Sequence, residues 1–169
     1  MLSAPGTAFV RGGLMIEKNI TVVYERYFDM VYRICFLYFN GNYADAEDAC
    51  QQVFLKYLEY GGNFESSGHE KAWLIVTAQN TCKSTLRRFF RKHVSLSEVE
   101  IVGNDYKPDE IMDEILRLPE KEKTAIYLHY YEGYSGKEIA EIFNCRESTV
   151  FSWLHKGRKK LQKRLEEQP

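Results

Sequence analysis

The sequence predicts an all-α protein made of two small helical domains joined by a flexible acidic linker. Apolar residues recur at helical spacing through long segments of both halves, and no segment shows a strand's alternation. The breaks fall at turn-forming residues, as in Gly41-Asn42-Tyr43, Gly61-Gly62-Asn63 and Leu118-Pro119. Between the halves, Val94 to Glu110 is acidic and aperiodic, with turn signals at Gly103-Asn104-Asp105 and Lys107-Pro108-Asp109. The expected boundaries are a disordered leader over 1–19, a first domain over 20–93, a linker over 94–110 and a second domain over 111–168.

A chain of 169 residues, 44% hydrophobic and 28% charged, has the composition of a soluble globular protein. No apolar run reaches the roughly 18 residues that span a bilayer. Cys35, Cys50, Cys82 and Cys145 lie singly within helical patterns, so buried free thiols in a reducing cytoplasm are expected. The net charge of −1 conceals strong segregation. Lys83, Arg87, Arg88, Arg91 and Lys92 form one basic block; Lys156, Arg158, Lys159, Lys160, Lys163 and Arg164 form another. Separate basic faces point to separate contacts with a polyanion.

Within the leader, Arg11-Gly12-Gly13 reads as a translated ribosome-binding sequence ahead of a start at Met15, with no order expected before about Ile16. An aromatic-rich helix is expected from Ile20 to Phe39. A second starts near Ala44 and buries Ala46, Ala49, Cys50, Val53, Phe54, Tyr57 and Leu58, leaving Asp45, Asp48, Gln51, Gln52, Leu55 and Lys56 on or beside the exposed side. After a polar loop from Phe64 to His69, a third runs from about Glu70 to Lys92. Its inward stripe is Ala72, Ile75, Gln79, Cys82, Leu86 and Phe89; a neighbouring stripe holds Trp73, Thr77, Asn80, Ser84, Arg87 and Arg91. Rings and amides leading into arginines suit bases and phosphates.

In the second half, helices are expected over Ile111–Leu116 and Glu120–Glu132, with Ile126, Leu128, Tyr130 and Tyr131 supporting the two helices after them. Ser135 and Glu138 form a capping box ahead of Ile139, Ala140 and Phe143. Asn144 marks a tight break, and a last helix buries Val150, Leu154, Gly157 and Leu161. Its other face carries Ser148, Ser152, His155, Lys156, Lys159 and Lys163. A small Ala in one short helix, packed on another that is polar and basic outside, is the pattern of a DNA-binding helix-turn-helix. His69, His93, His129 and His155 are isolated, and no metal-binding or nucleophile motif occurs, so no catalytic residue, metal or cofactor is expected.

Several blocks, in order, resemble the extracytoplasmic-function (ECF) group of bacterial RNA polymerase sigma factors. Asp45-Ala46-Glu47-Asp48-Ala49-Cys50-Gln51-Gln52-Val53-Phe54-Leu55 is similar to the second helix of sigma domain 2. His69-Glu70-Lys71-Ala72-Trp73-Leu74-Ile75, with Asn80 and Cys82-Lys83, resembles the promoter-melting segment of low-GC Gram-positive members. Leu118-Pro119-Glu120-Lys121 through Leu161 resembles sigma domain 4.

The resemblance implies that Asp45, Asp48, Gln51, Gln52 and Leu55 dock on the clamp helices of the polymerase β′ subunit. It implies that the loop from Phe64 to Lys71 takes an unstacked base of the −10 element, with Phe64, His69, Lys71, Trp73, Asn80, Lys83, Arg87 and Arg88 along that strand. It implies that domain 4 sits on the β flap and reads the −35 element through Glu147, Ser148, Thr149, Phe151, Ser152, His155, Lys156, Arg158 and Lys159. Core polymerase, promoter DNA and an anti-sigma factor are the implied partners, in the cytoplasm, with no small-molecule substrate. The chain departs from the family at Phe151 and Trp153, where basic residues are usual, and at Val76, where Arg is common. It also lacks a Ser cap near Arg146, worth about 1 kcal/mol. The alternative is a stand-alone helix-turn-helix regulator on an operator, its first half serving for ligand binding or dimerisation.

Overall fold

The computed structural model describes residues 13–92 and 110–167, with the backbone alone for 13–19, 92 and 110. The described residues form helices α1 (Gly13–Tyr38), α2 (Tyr43–Tyr60), α3 (Ser67–Lys92), α4 (Glu110–Leu116), α5 (Glu120–Tyr130), α6 (Gly136–Phe143) and α7 (Glu147–Glu166). The all-α class is as the periodicity predicts. Among the described residues no helix is long and apolar enough to cross a membrane. The linker expected over 94–110 lies outside the described residues except Glu110, as does the leader before Gly13. α1 begins at Gly13, ahead of both Ile16 and Ile20, because no Gly or Pro interrupts the sequence after that point.

In the first half, α1, α2 and α3 pack pairwise around Val31, Ile34, Cys35, Leu37, Ala46, Val53, Leu74, Ile75, Ala78 and Cys82, all fully buried. Rings run along α1, with Phe28 on Tyr32 at 5.7 Å and Tyr32 on Phe36 at 6.2 Å. Asn42 caps α2 by accepting from the Asp45 N–H, and Gly61 ends it in the left-handed conformation at φ 82°. Cys35, Cys50 and Cys82 are buried free thiols. A hydrogen bond with Cys82, together with burial, pushes the Cys35 thiol up; burial pushes that of Cys50 up to about 12. Protonated thiols without solvent access are chemically inert.

The second half packs α7 against α5 and α6, with Ala125, Ile126, Leu128, Ile139, Val150 and Leu154 inside. The capping box forms as predicted: the Ser135 N–H donates to Glu138 Oε2 at 2.8 Å and the Glu138 N–H to Ser135 Oγ at 3.3 Å. Asn144 takes the left-handed conformation at φ 50° and turns the chain into α7. At Gly157 α7 lies tight against α5; a Cβ there would stand 2.9 Å from Ile126 Cγ1.

The structure corrects several burial expectations. Leu58 is 40% exposed and Phe89 49%, because each lies where its helix overhangs the core. Tyr130 and Tyr131 are also exposed, lining an open groove between the end of α5 and α7. The two halves pack on one another, through α1 against α5 and α3 against α6, and their apolar residues form one continuous cluster.

Candidate nucleic-acid interface

α2 turns one face to the core and the other outward. Ala46, Ala49, Cys50, Val53, Phe54 and Tyr57 are buried, whereas Asp45, Asp48 and Gln51 are exposed and Gln52 is half-buried. Leu55 stands among them at 57% exposure. It is a large apolar side chain set in an acidic and amide surface.

At the start of α3 the expected boundary shifts. The helix begins at Ser67, since Ser66 Oγ accepts from the His69 N–H at 3.1 Å and caps the first turn. His69 and Lys71 are therefore helical and not part of a loop. Phe64 precedes the helix and meets His69 at 5.5 Å and Trp73 at 5.7 Å. Tyr57 and Tyr60 complete this aromatic group, at 6.0 and 5.1 Å from Trp73. Those tyrosines were missed as site residues; their one-turn spacing at the end of α2, opposite Phe64, is the available signal. Trp73 is half-buried, with an edge of its indole lining a cleft toward Tyr134, Glu138 and Ile142. Tyr57 donates to Glu70 Oε1 at 2.5 Å, and burial followed by that bond raises its hydroxyl pKa.

The remaining residues of the strip divide. Asn80, Arg87 and Arg88 are exposed along α3. Arg87 Nε donates to the Lys83 carbonyl at 3.3 Å, and Arg88 reaches Thr85 Oγ1 at 3.4 Å. Lys71 and Lys83 point toward the second half instead. Lys71 Nζ lies 2.9 Å from Glu132 Oε2, and Lys83 Nζ lies 3.9 Å from Glu120 Oε1. Burial and the neighbouring Lys121 lower the Lys83 pKa, against the opposing effect of Glu120.

On α7 the exposed face brings together Ser148, His155, Lys156 and Lys159, with Ser152 half-buried between them. Glu147 stands exposed in the first turn, and Thr149 lies half-buried at one flank. Arg158 lies at the other, its guanidinium 3.5 Å from the Tyr130 hydroxyl. Arg146 occupies the N-cap without a side-chain hydrogen bond. The aromatic departures separate clearly. Trp153 packs on Phe143 at 5.3 Å with Lys121 over its ring at 5.6 Å, so it closes the core. Phe151 is 54% exposed and lies over Gly136, at whose position a Cβ would meet the ring at 3.2 Å. Among the described residues no group of three or more His, Cys, Asp or Glu could hold a metal ion.

Two family descriptions match the chain: sigma-70 region 2 over residues 23–91 and sigma-70 region 4 over residues 109–161. The RNA polymerase sigma-H factor of Pseudomonas aeruginosa is 30% identical over 72% of this chain and 74% of its own. The ECF RNA polymerase sigma factor SigW of Bacillus subtilis is 28% identical, covering 90% of this chain and 97% of the relative. Among solved structures, the sigma factor RpoE in complex with the anti-sigma factor NepR from Bartonella quintana shares the fold. Its TM-score is 0.74 at 22% identity, over 90% of this chain and 99% of that one.

Proposed function

The chain belongs to the ECF group of RNA polymerase sigma factors, and from that premise we propose how its surfaces divide the work of starting transcription. As a sigma factor it binds core polymerase and promoter DNA and directs promoter-specific initiation, without catalytic chemistry of its own. Polymerase is where such a subunit acts, so the cytoplasm is its place. An anti-sigma factor is a further partner, on the precedent of the solved relative.

In this reading, Asp45, Asp48, Gln51, Gln52 and Leu55 on α2 hold the β′ clamp helices. Phe64, His69 and Trp73, with Asn80, Arg87 and Arg88 beyond, take the melted −10 strand. Unstacking a base costs a few kcal/mol, and stacking on an aromatic ring returns roughly 1–3 kcal/mol per base. The aromatic group from Tyr57 to Trp73 is the observation that carries this assignment: rings from the end of α2, the loop after it and the start of α3 gathered beside the cations of α3. α7 enters the major groove of the −35 element with Ser148, Ser152, His155, Lys156 and Lys159 toward the bases. Glu147, Thr149, Phe151 and Arg158 lie along its flanks. Phosphate neutralisation supplies much of the remaining affinity, so promoter binding weakens steeply with salt.

The test is reconstitution. The purified chain should co-elute with core polymerase and yield run-off transcripts from promoters that core alone ignores. Trp73→Ala should lower open-complex formation, read by permanganate footprinting, while co-elution persists. Tight binding to an operator without polymerase would favour the stand-alone regulator instead.

A further inference from the structure

α1 carries a ladder of rings that lines a cleft of about 380 Å³, at the small end of the roughly 300–1,000 Å³ that ligand sites span. Phe28, Tyr32 and Phe36 recur one turn apart along the helix. Neighbouring ring planes in this ladder lie within 22° of parallel, with centroids 5.7 and 6.2 Å apart, so together they make a flat aromatic wall. Tyr43, at the start of α2, meets Phe36 at 5.0 Å with a 51° tilt and turns the end of the wall inward. Met112 lines the same cleft from α4. None of the residues assigned above to polymerase or promoter lines it.

Asp29 and Arg33 line the cleft on the adjoining stripe of α1, one turn apart. Asp29 is exposed and Arg33 half-buried. An acid four residues ahead of an arginine readily closes into an ion pair. Here neither side chain makes an ion pair or a hydrogen bond with any described residue. A flat wall with an open carboxylate and an open guanidinium beside it sets three requirements on a ligand. Its body must be planar, one edge must offer adjacent N–H donors to the carboxylate, and another must offer adjacent acceptors to the arginine fork. Guanine meets all three: O6 and N7 accept from arginine, and N1–H and the 2-amino group donate to a carboxylate. Adenine, cytosine and thymine each lack the adjacent donors, the adjacent acceptors or both.

We propose that this cleft binds a guanine nucleoside or its phosphates, the base lying on Phe28, Tyr32 and Phe36 with Arg33 on O6 and N7 and Asp29 on N1–H and the 2-amino group. Stacking on the rings supplies affinity that any base would share, and the charged pair supplies the choice among bases. The thioether of Met112 gives the cleft a soft side that adapts to the ligand. The site is independent of the surfaces proposed for polymerase and promoter, so neither reading stands or falls with the other.

The test is isothermal titration of the full chain with GMP, AMP and xanthosine monophosphate, in which a carbonyl replaces the 2-amino group of guanine. Wild type should bind GMP about tenfold more tightly than either of the others. Arg33→Gln should weaken GMP binding about tenfold. Asp29→Asn should weaken GMP by a similar factor and tighten xanthosine monophosphate, because the new amide N–H can donate to the new carbonyl. Circular dichroism of both changed chains should match wild type; if either misfolds, the wild-type preference for GMP over AMP still decides. No binding of GMP at millimolar concentration, or equal affinity for AMP, overturns the proposal. So does an Asp29→Asn chain that folds and loses GMP without gaining xanthosine monophosphate. Binding of a guanine-containing single strand but not of GMP overturns it as well.

Discussion

The two halves solve the same packing problem with different materials. The first buries rings, thiols and branched chains; among its described residues the buried polar side chains are Gln79 and Thr81. The second is smaller and buries Glu114, Glu122, Lys123 and Thr124. Each has a partner: Arg117 on Glu114 at 2.7 Å, Lys160 on Glu122 at 2.9 Å, Asn40 on Lys123, and the Glu120 carbonyl for Thr124 at 2.8 Å. Short helices cannot surround a deep apolar centre, so charged stems fill the space and their heads must find partners. The difference teaches where each half is vulnerable: the first to lost volume, the second to added volume and to proton balance.

Removing volume from the first half should have the largest effect. Ile34→Ala empties a fully buried site between helices and should cost about 4 kcal/mol in urea unfolding. A loss below ~1 kcal/mol would mean that this core collapses easily and the contrast is wrong. Adding volume to the second half comes next. Gly157→Val drives a side chain into Ile126 and should cost about 3 kcal/mol, read in the same way. Neutral behaviour there would show that α7 can shift.

Proton balance ranks third. Burial lowers the Lys123 pKa to about 8, below its unfolded value. At this site the unfolded chain keeps the extra proton between those values, so the Lys123 contribution to stability rises with pH, with Glu120 the nearby charge opposing the shift. The raised Cys35 and Cys50 thiols act the other way over the same window, because the unfolded chain loses those protons first. The difference between wild type and Lys123→Met in urea unfolding should therefore shift by about 2 kcal/mol from pH 8 to pH 10; a difference that does not vary with pH would assign the shift elsewhere. Below these, Asn144→Ala should lose about 1 kcal/mol for its left-handed backbone, and Asn144→Gly should not. Smallest of all, Leu55→Ala should leave the melting midpoint within about 0.5 kcal/mol of wild type. That change should still release the chain from core polymerase in co-elution.

What was legible in the sequence was mostly local. Ser135 with Glu138, Asn144 and Gly61 each fix a turn through their own backbone chemistry, and all are found as expected. The buried stripe of α2 follows from spacing alone, except at Leu58, since periodicity gives a face but not where the partner helix ends. The start of α3 was misplaced because Ser66 caps three residues before His69, within a polar run that reads equally well as loop. The packing of the halves was not legible. It depends on pairs such as Lys71 with Glu132 and Lys123 with Asn40, whose separation leaves no periodic trace. Among the expected site residues, the faces were foreseeable, but the diversion of Lys71 and Lys83 was not.

The bare backbone at Gly136 has a consequence for how α6 and α7 cross. The Phe151 ring occupies the space a methyl group would take, and so acts as a spacer between the start of α6 and α7. Enlarging one position without shrinking the other would tilt α7 against α6. The pair therefore sets the pitch at which the exposed face of α7 is presented, and a lineage could retune it only by changing both together.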